Sequence, residues 1–320
     1  MKVVGSVERV EAPSREEFEK EFVQADRPVI ISGAIDHWIA RKNWSSEELR
    51  KRIGSVPVRY KVSSSHLHPD FDVEEGEPLF ASEESTFADF LARLRGPDAA
   101  RFLLMGEDAQ LMRAMPDGSR EISPSLGSLI DDFEIPPYFS EDRINTVWSW
   151  FGSAGPRTWL HYDNNGCHNL NAQISGSKRF WLFPPVGLEG FYPFEIDAKI
   201  PLPNVSQVNI ESPDHARFPL FDEMECREGE MHEGDMLFLP AFWFHSFHHL
   251  GDFNANITFW WRPDSLRLNP VSRRWAWLEL LNRTLADSAG SDASAGGFNG
   301  LPTEAKDILR RLDAHACVDR

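Results

Sequence analysis

Cysteine is scarce in this sequence: Cys167, Cys226 and Cys317 are the only three, odd in number and widely spaced. They exclude a disulfide framework, and no CxxC pair gives the thiolate spacing of a structural zinc site. Long apolar runs are also missing. None approaches the ~20 residues that a membrane-spanning helix requires, and charge at Lys2, Glu8 and Arg9 comes too early for a secretory leader. The expectation is a cytoplasmic protein with reduced thiols and no membrane association. Positive charge is under-represented as well: 33 Lys and Arg stand against 50 Asp and Glu, a net charge of −17. Such a surface repels phosphate backbones, so general nucleic-acid binding is disfavoured, although a local basic groove could survive. Neutral or cationic partners such as peptides fit better. An acidic surface also serves plain solubility, so the charge excludes more than it identifies.

Aromatic residues, by contrast, are plentiful. With 23 Phe, 11 Trp and 41% hydrophobic residues in 320, the chain can bury an ordinary core without staples. Ser14 and Glu17 have the spacing of a capping box, and Phe18 and Phe22 then share one helical face. Val29-Ile30-Ile31, ended by Gly33, reads as a buried strand; Ser45 begins a second capped helix, 56–62 a second strand, and Thr86 a third helix stopped by Gly96-Pro97. From about 101 to 265 the texture turns β-rich, with strands expected at 101–105, 146–152, 169–175, 180–183, 235–239 and 254–261. Gly176-Ser177, Pro184-Pro185 and Gly234-Asp235 punctuate them as turns. Many short strands without interleaved long helices argue an antiparallel barrel or sandwich with helical decoration at both ends. Beyond Pro270, Trp275, Leu278, Leu281 and Leu285 recur at helical spacing; 287–300 reads as a loop and 303–312 as a last helix capped by Thr303.

His161-Tyr162-Asp163 carries the chemistry. On a strand, residues i and i+2 share a face, so an imidazole and a carboxylate there can reach one cation. Alone, the pair is a weak signal, and a His–Asp hydrogen bond explains it equally well. Downstream, Gly234-Asp235 suits a tight turn, Met236–Leu239 a buried strand, and Pro240 ends it before an aromatic bend that delivers His245. Two imidazoles and one carboxylate occupy one face of an octahedron and leave three positions open, the arrangement of non-haem Fe(II) oxygenases. Open positions admit a chelating co-substrate and O2. His248 and His249 compete for the distal place, but the order strand, proline, aromatics, histidine favours His245 and puts the other two on a following turn. Cys167 and His168 read as supporting residues. Lys178 lies between a turn and the aromatic run Phe180–Phe183; by composition alone it is a solvated turn lysine.

Five ordered stretches resemble the JmjC (cupin-like) Fe(II)/2-oxoglutarate oxygenases, in particular the protein hydroxylases typified by the asparaginyl hydroxylase that inhibits the hypoxia-inducible factor. They are Pro28–Ala34 with Trp38 and Trp44, Thr158–Asp163, Asn169–Pro185, Tyr192-Pro193-Phe194 with Arg217-Phe218-Pro219, and Gly234-Asp235 through Pro240 and Trp243 to His245. The resemblance implies a double-stranded β-helix at 101–265 as the catalytic barrel, an α/β extension at 1–100 packed on it, and a helical segment at 266–320. It implies His161, Asp163 and His245 as metal ligands, and Thr158, Lys178, Asn169 and Thr258 around 2-oxoglutarate, with Fe(II) and O2 completing the chemistry. It also reverses the reading of Lys178, whose ammonium and the Thr158 hydroxyl would hold the co-substrate's far carboxylate. Two departures stand out: the 164–168 stretch is longer than in the asparaginyl hydroxylase, and Phe102-Leu103-Leu104 offers no phenol where that enzyme has a co-substrate tyrosine.

The leading expectation is therefore hydroxylation of a protein or peptide side chain, with 2-oxoglutarate converted to succinate and CO2. The alternatives are the same chemistry on a modified tRNA base or small metabolite, and a non-catalytic metal-binding cupin module. A histone demethylase reading is weaker, since no reader or zinc module accompanies the core. The C-terminal helices either form a homodimer interface or pack on their own barrel.

Overall fold

The structure, a computed structural model, describes residues 1–68, 70–72, 77–194, 204–264 and 269–277, with Asp307 and Arg311. The expected loop at 287–300, most of the helix at 303–312, and Leu278, Leu281, Leu285 and Cys317 lie outside the described residues.

The three helices expected before residue 100 start where their caps specify, and a fourth, Ala40–Asn43, has no side-chain cap. Strand β1 (Glu8–Glu11) precedes helix α1 (Arg15–Phe18), at which Ser14 N donates to the Glu17 carboxylate at 2.8 Å and Glu17 N donates to the Ser14 hydroxyl at 3.2 Å. A π-helical turn, Glu19–Val23, follows and keeps Phe18 and Phe22 buried. Strand β2 (Val29–Ser32) leads to helix α2 (Ser46–Ile53), capped by Ser45. Strands β3 (Pro57–Ser63) and β4 (Phe80–Thr86) lead to helix α3 (Phe87–Arg93), capped by Thr86.

The barrel strands are β5 (Phe102–Leu104), β6 (Ile144–Gly152), β7 (Arg157–Thr158), β8 (His168–Phe183), β9 (Glu225–Met231), β10 (Met236–Leu239) and β11 (Phe244–Trp261). The main hydrogen-bonded path runs β1-β2-β10-β8-β11-β6-β5-β3-β4, so strands of the first hundred residues extend both ends of the barrel sheet. Two long antiparallel strands organise it. The first half of β8 pairs with β10 and its second half with β9, while β11 pairs with β8 along nearly its whole length and with β6 in its second half. Each long strand thus serves both walls of a jelly roll, and the fold is mainly β with helical flanks.

Two expectations need correction here. Gly176-Ser177 does not end a strand: 169–175 and 180–183 are parts of one strand, β8. Likewise β11 reaches back from 254 to Phe244, so His248 and His249 lie within a strand and not on a turn. The physical reason is a bulge. Where β8 passes from Ser175 to Ser177, β11 passes from Ala255 to Leu250, and Gly176 adopts a φ of +76° to bend the ladder without reversing it.

The largest core cluster packs the N-terminal helices against the outer side of this sheet. Phe151 on β6 meets Trp44 at 5.6 Å and Phe87 at 5.3 Å between ring centroids. Trp44 Nε1 donates to Asp132 Oδ2 at 2.8 Å, and Arg52 clamps the same buried carboxylate. Because Phe151 is fixed outward, strand alternation turns its neighbour Trp150 toward the barrel interior. Among the described residues no helix is long and apolar enough to cross a membrane.

Candidate metal centre

Strand β7 delivers the first imidazole. Beyond Thr158 the chain is tied down by Trp159, whose N donates to the His68 carbonyl at 3.0 Å and whose indole donates to the Ser206 carbonyl at 2.6 Å. His161 then bridges to His245, the second residue of β11. Asp163 follows in irregular backbone, so the expected strand alternation of His161 and Asp163 is replaced by two isolated bridges at His161, to Val205 and to His245, and a turn beyond Asp163.

The three side chains nonetheless converge. His161 Nε2 and His245 Nε2 lie 3.9 and 3.8 Å from Asp163 Oδ1. Each imidazole turns its other nitrogen away, with His161 Nδ1 2.7 Å from the Trp159 carbonyl and His245 Nδ1 2.9 Å from the Trp243 carbonyl. A carbonyl only accepts, so Nδ1 carries the proton in both rings, and both Nε2 lone pairs point at the shared space. Burial pushes the His245 imidazole down to about 4, which keeps it neutral and able to ligate near pH 7. Burial alone would raise the Asp163 carboxyl, but the two imidazoles and its hydrogen-bond donors outweigh it and hold the group below the usual carboxylate range.

Those donors are Trp260 Nε1, 2.9 Å from Asp163 Oδ2, and Asn169 Nδ2, 3.2 Å from the same oxygen. Asn169 and Trp260 face each other across β8 and β11, so one rung of the ladder fixes the carboxylate. Oδ1 is left for the imidazoles. Among the described residues no fourth His, Cys or carboxylate joins the group. The competitors stand apart from the triad: His248 faces outward with its Nδ1 3.2 Å from Arg157 Nη2, His249 lines the same cavity outside the ligand group, and His168 Nδ1 accepts from Ala241 N at 3.0 Å. Burial pushes the Cys167 thiol up to about 12, so it is no thiolate ligand.

The same cavity holds every residue expected around a co-substrate: Thr158, Asn169, Lys178 and Thr258 all line it with the triad. Lys178 is 2% exposed and bonds to Asn256 Oδ1, with the Phe247 ring 5.7 Å from its ammonium. Among the described residues no carboxylate pairs with it, and burial pushes this ammonium down to about 7. Asn169 Oδ1, Asn171 Oδ1 and Asn256 Nδ2 are buried without partners among the described residues. A buried ammonium without a carboxylate partner among the described residues, beside unmet amide groups and sharing its cavity with a carboxylate–imidazole triad, fits a small acid that chelates a cation and carries a second carboxylate. Thr258 Oγ1 accepts from Trp150 Nε1 at 3.2 Å and so holds the wall of the cavity.

Sequence reasoning missed Trp150, Asn171, Asn256 and Trp260. The available signal was polar alternation: Asn169, Asn171 and Gln173 on β8, and Asn254, Asn256 and Thr258 on β11, each interrupt apolar strands with period two. Such alternation within buried strands marks a face that lines a polar cavity.

A family described as "Cupin-like domain" matches residues 15–266. Lysine-specific demethylase 8 of Xenopus tropicalis is 31% identical over 80% of this chain and 53% of its own length. Lysine-specific demethylase JMJ30 of Arabidopsis thaliana is 29% identical over 81% and 55%. The human tRNA wybutosine-synthesizing protein 5 is 25% identical over 80% and 78%. The chain thus spans about half the length of the two demethylases. On this match and on the triad's geometry, the chain belongs to the cupin-like domain family, among the JmjC oxygenases that use Fe(II), 2-oxoglutarate and O2.

Proposed function

We propose that this chain is a hydroxylase of protein or peptide side chains, in which His161, Asp163 and His245 hold Fe(II), and Thr158, Lys178, Asn169 and Thr258 surround 2-oxoglutarate. One observation carries the reading: a three-residue ligand set, open on one side, shares a cavity with a buried ammonium that has no counter-ion among the described residues. Bound Fe(II) and 2-oxoglutarate supply the oxidising chemistry, in which O2 gives one oxygen atom to a C–H bond of the substrate and the other to succinate, with loss of CO2. The protein's part is placement. Trp260 and Asn169 keep one Asp163 oxygen occupied and aim the other at the imidazoles. Lys178 and Thr158 hold the far carboxylate, and the Trp150 and Trp260 rings wall the cavity against water.

The substrate reading follows from charge. At −17 the chain is a poor general partner for polyphosphates and a good one for neutral or basic peptides. The demethylases among its relatives act through the same C–H step if the carbon is an N-methyl group, because hydroxylation there yields a carbinolamine that loses formaldehyde. Incubation with Fe(II), 2-oxoglutarate and a peptide panel should give succinate together with a peptide one oxygen atom heavier. Formaldehyde release without that mass gain would place the reaction at an N-methyl group. No 2-oxoglutarate turnover with any peptide would reject the reading.

A second reading, a modified tRNA base, draws on the human tRNA wybutosine-synthesizing protein, 78% of whose length this chain covers. Turnover with tRNA and not with peptides decides for it. The division near residues 100 and 265, a cytoplasmic location and a homodimer through 266–320 belong to the same proposal. Trp275 packs against a barrel cluster, whereas Trp277 is 45% exposed and free to meet a second copy. Sedimentation of a chain ending near Pro270 tests the dimer, and an unchanged mass removes it.

A further inference from the structure

The far end of the cavity contains a histidine that neither the metal nor the fold requires. His249 stands directly across from Lys178 in the β8–β11 pairing; both side chains line the cavity, at 1% and 2% exposure. Its backbone is clamped in both directions, N donating to the Pro156 carbonyl at 2.9 Å and the carbonyl accepting from Gly155 N at 2.9 Å. The ring lies beside the Ser153 backbone carbonyl. Nδ1 is buried and has no partner among the described residues. In the neutral tautomer protonated at Nε2, Nδ1 presents a lone pair.

The space for this ring is reserved by sequence. A Cβ at Gly152 would stand 3.1 Å from His249 Nδ1 and 2.8 Å from Leu103 Cδ1, so a larger residue at 152 would press on both. Strand β5 supplies only Phe102, Leu103 and Leu104 on this side, with no hydroxyl. Lys178 has three N–H groups to place. Asn256 Oδ1 takes one.

We propose that His249 is a positioning residue for the co-substrate: its Nδ1 accepts a second proton of the Lys178 ammonium and thereby turns the third toward the far carboxylate of the 2-oxo acid. The Thr158 oxygen accepts from Phe247 N at 2.8 Å, which leaves the hydroxyl proton as the carboxylate's other donor. Burial and the adjacent Lys178 charge hold the His249 imidazole well below its ordinary range, so it stays a neutral acceptor and does not compete for positive charge. The inference rests on the assignment of this cavity to 2-oxoglutarate.

The test is calorimetric titration of the Mn(II)-loaded full chain with 2-oxoglutarate and with 2-oxopentanoate, which ends in a methyl group where 2-oxoglutarate has its far carboxylate. One hydrogen bond to a charged group sets the scale: His249→Leu should weaken 2-oxoglutarate roughly tenfold or more and leave 2-oxopentanoate unchanged. His249→Asn, whose Oδ1 can reach the place of Nδ1, should restore most of the loss. Equal weakening of both acids, or of neither, overturns the proposal. If the unaltered protein binds neither acid, the cavity assignment falls with it; if it binds 2-oxoglutarate and the variants do not differ, only the role of His249 falls. Should His249→Leu fail to fold, the Zn(II)-loaded protein labelled with ¹⁵N-histidine gives the answer. The His249 Nδ1 resonance should move with 2-oxoglutarate and not with 2-oxopentanoate, and an unmoved resonance overturns the proposal.

Discussion

His161 and His245 are joined by two reciprocal backbone hydrogen bonds: His161 N donates to the His245 carbonyl at 3.1 Å, and His245 N donates back at 2.7 Å. The two imidazoles, 4.3 Å apart between ring centroids, are therefore brought together by backbone pairing, and that pairing survives loss of either side chain. His245→Ala or Asp163→Ala should leave the thermal transition within a few degrees of the parent. Each should weaken Mn(II) or Fe(II) binding beyond the ~10–100-fold typical of changes to outer-shell partners. Parallel calorimetric titration and melting curves check both halves.

Trp260→Phe isolates the indole's hydrogen bond. The ring still packs on Trp148, but Asp163 Oδ2 loses the donor at 2.9 Å and keeps only Asn169. Metal affinity should fall by about 10–100-fold with little change in stability. An affinity equal to the parent's would show that Asn169 alone suffices.

Lys178 gives the account a pH dependence. Its pKa drops from 10.5 to about 7 because burial penalises the charged form. Between those values the unfolded chain holds a proton that the folded chain does not, so stability rises with pH across that window, and the penalty is fully present below about pH 7. Lys178→Met should therefore raise stability at pH 6.5 by about 1–4 kcal/mol while abolishing tight 2-oxoglutarate binding. In the parent, 2-oxoglutarate affinity should weaken as pH rises above about 7, because the carboxylate needs the protonated amine. Denaturant titrations at two pH values, with binding measured in parallel, test the pair.

Gly176→Ala tests the bulge that joins the two halves of β8. The backbone there has a φ of +76°, and a Cβ would stand 2.4 Å from the Phe253 carbonyl oxygen. A loss of about 2–4 kcal/mol is expected, measured by chemical denaturation.

That bulge also shows where sequence reasoning stops. Ser14 with Glu17, Ser45 and Thr86 were legible because a cap is decided within one turn of chain, and each helix starts at its cap. His161, Asp163 and His245 were legible as a ligand set by residue type, although their meeting depends on the long-range bridge between His161 and His245 and not on the strand alternation expected of the first two. Gly176-Ser177 is a turn signal by composition, and only the partner strand, which carries the additional residues of the bulge, keeps β8 continuous. Trp260 could not be singled out among eleven tryptophans, because its indole becomes an Asp163 partner only through the register that sets it opposite Asn169.

Anaerobic titration of the protein with Fe(II), followed by 2-oxoglutarate and read by visible absorption, bears on the centre most directly. Bidentate chelation by a 2-oxo acid needs two vacant positions and produces a metal-to-ligand charge-transfer band. The account predicts one iron per chain, a band that requires both iron and 2-oxoglutarate, and its loss in His245→Ala. Iron bound with equal affinity after that substitution, or bound without any band when 2-oxoglutarate is added, would contradict it.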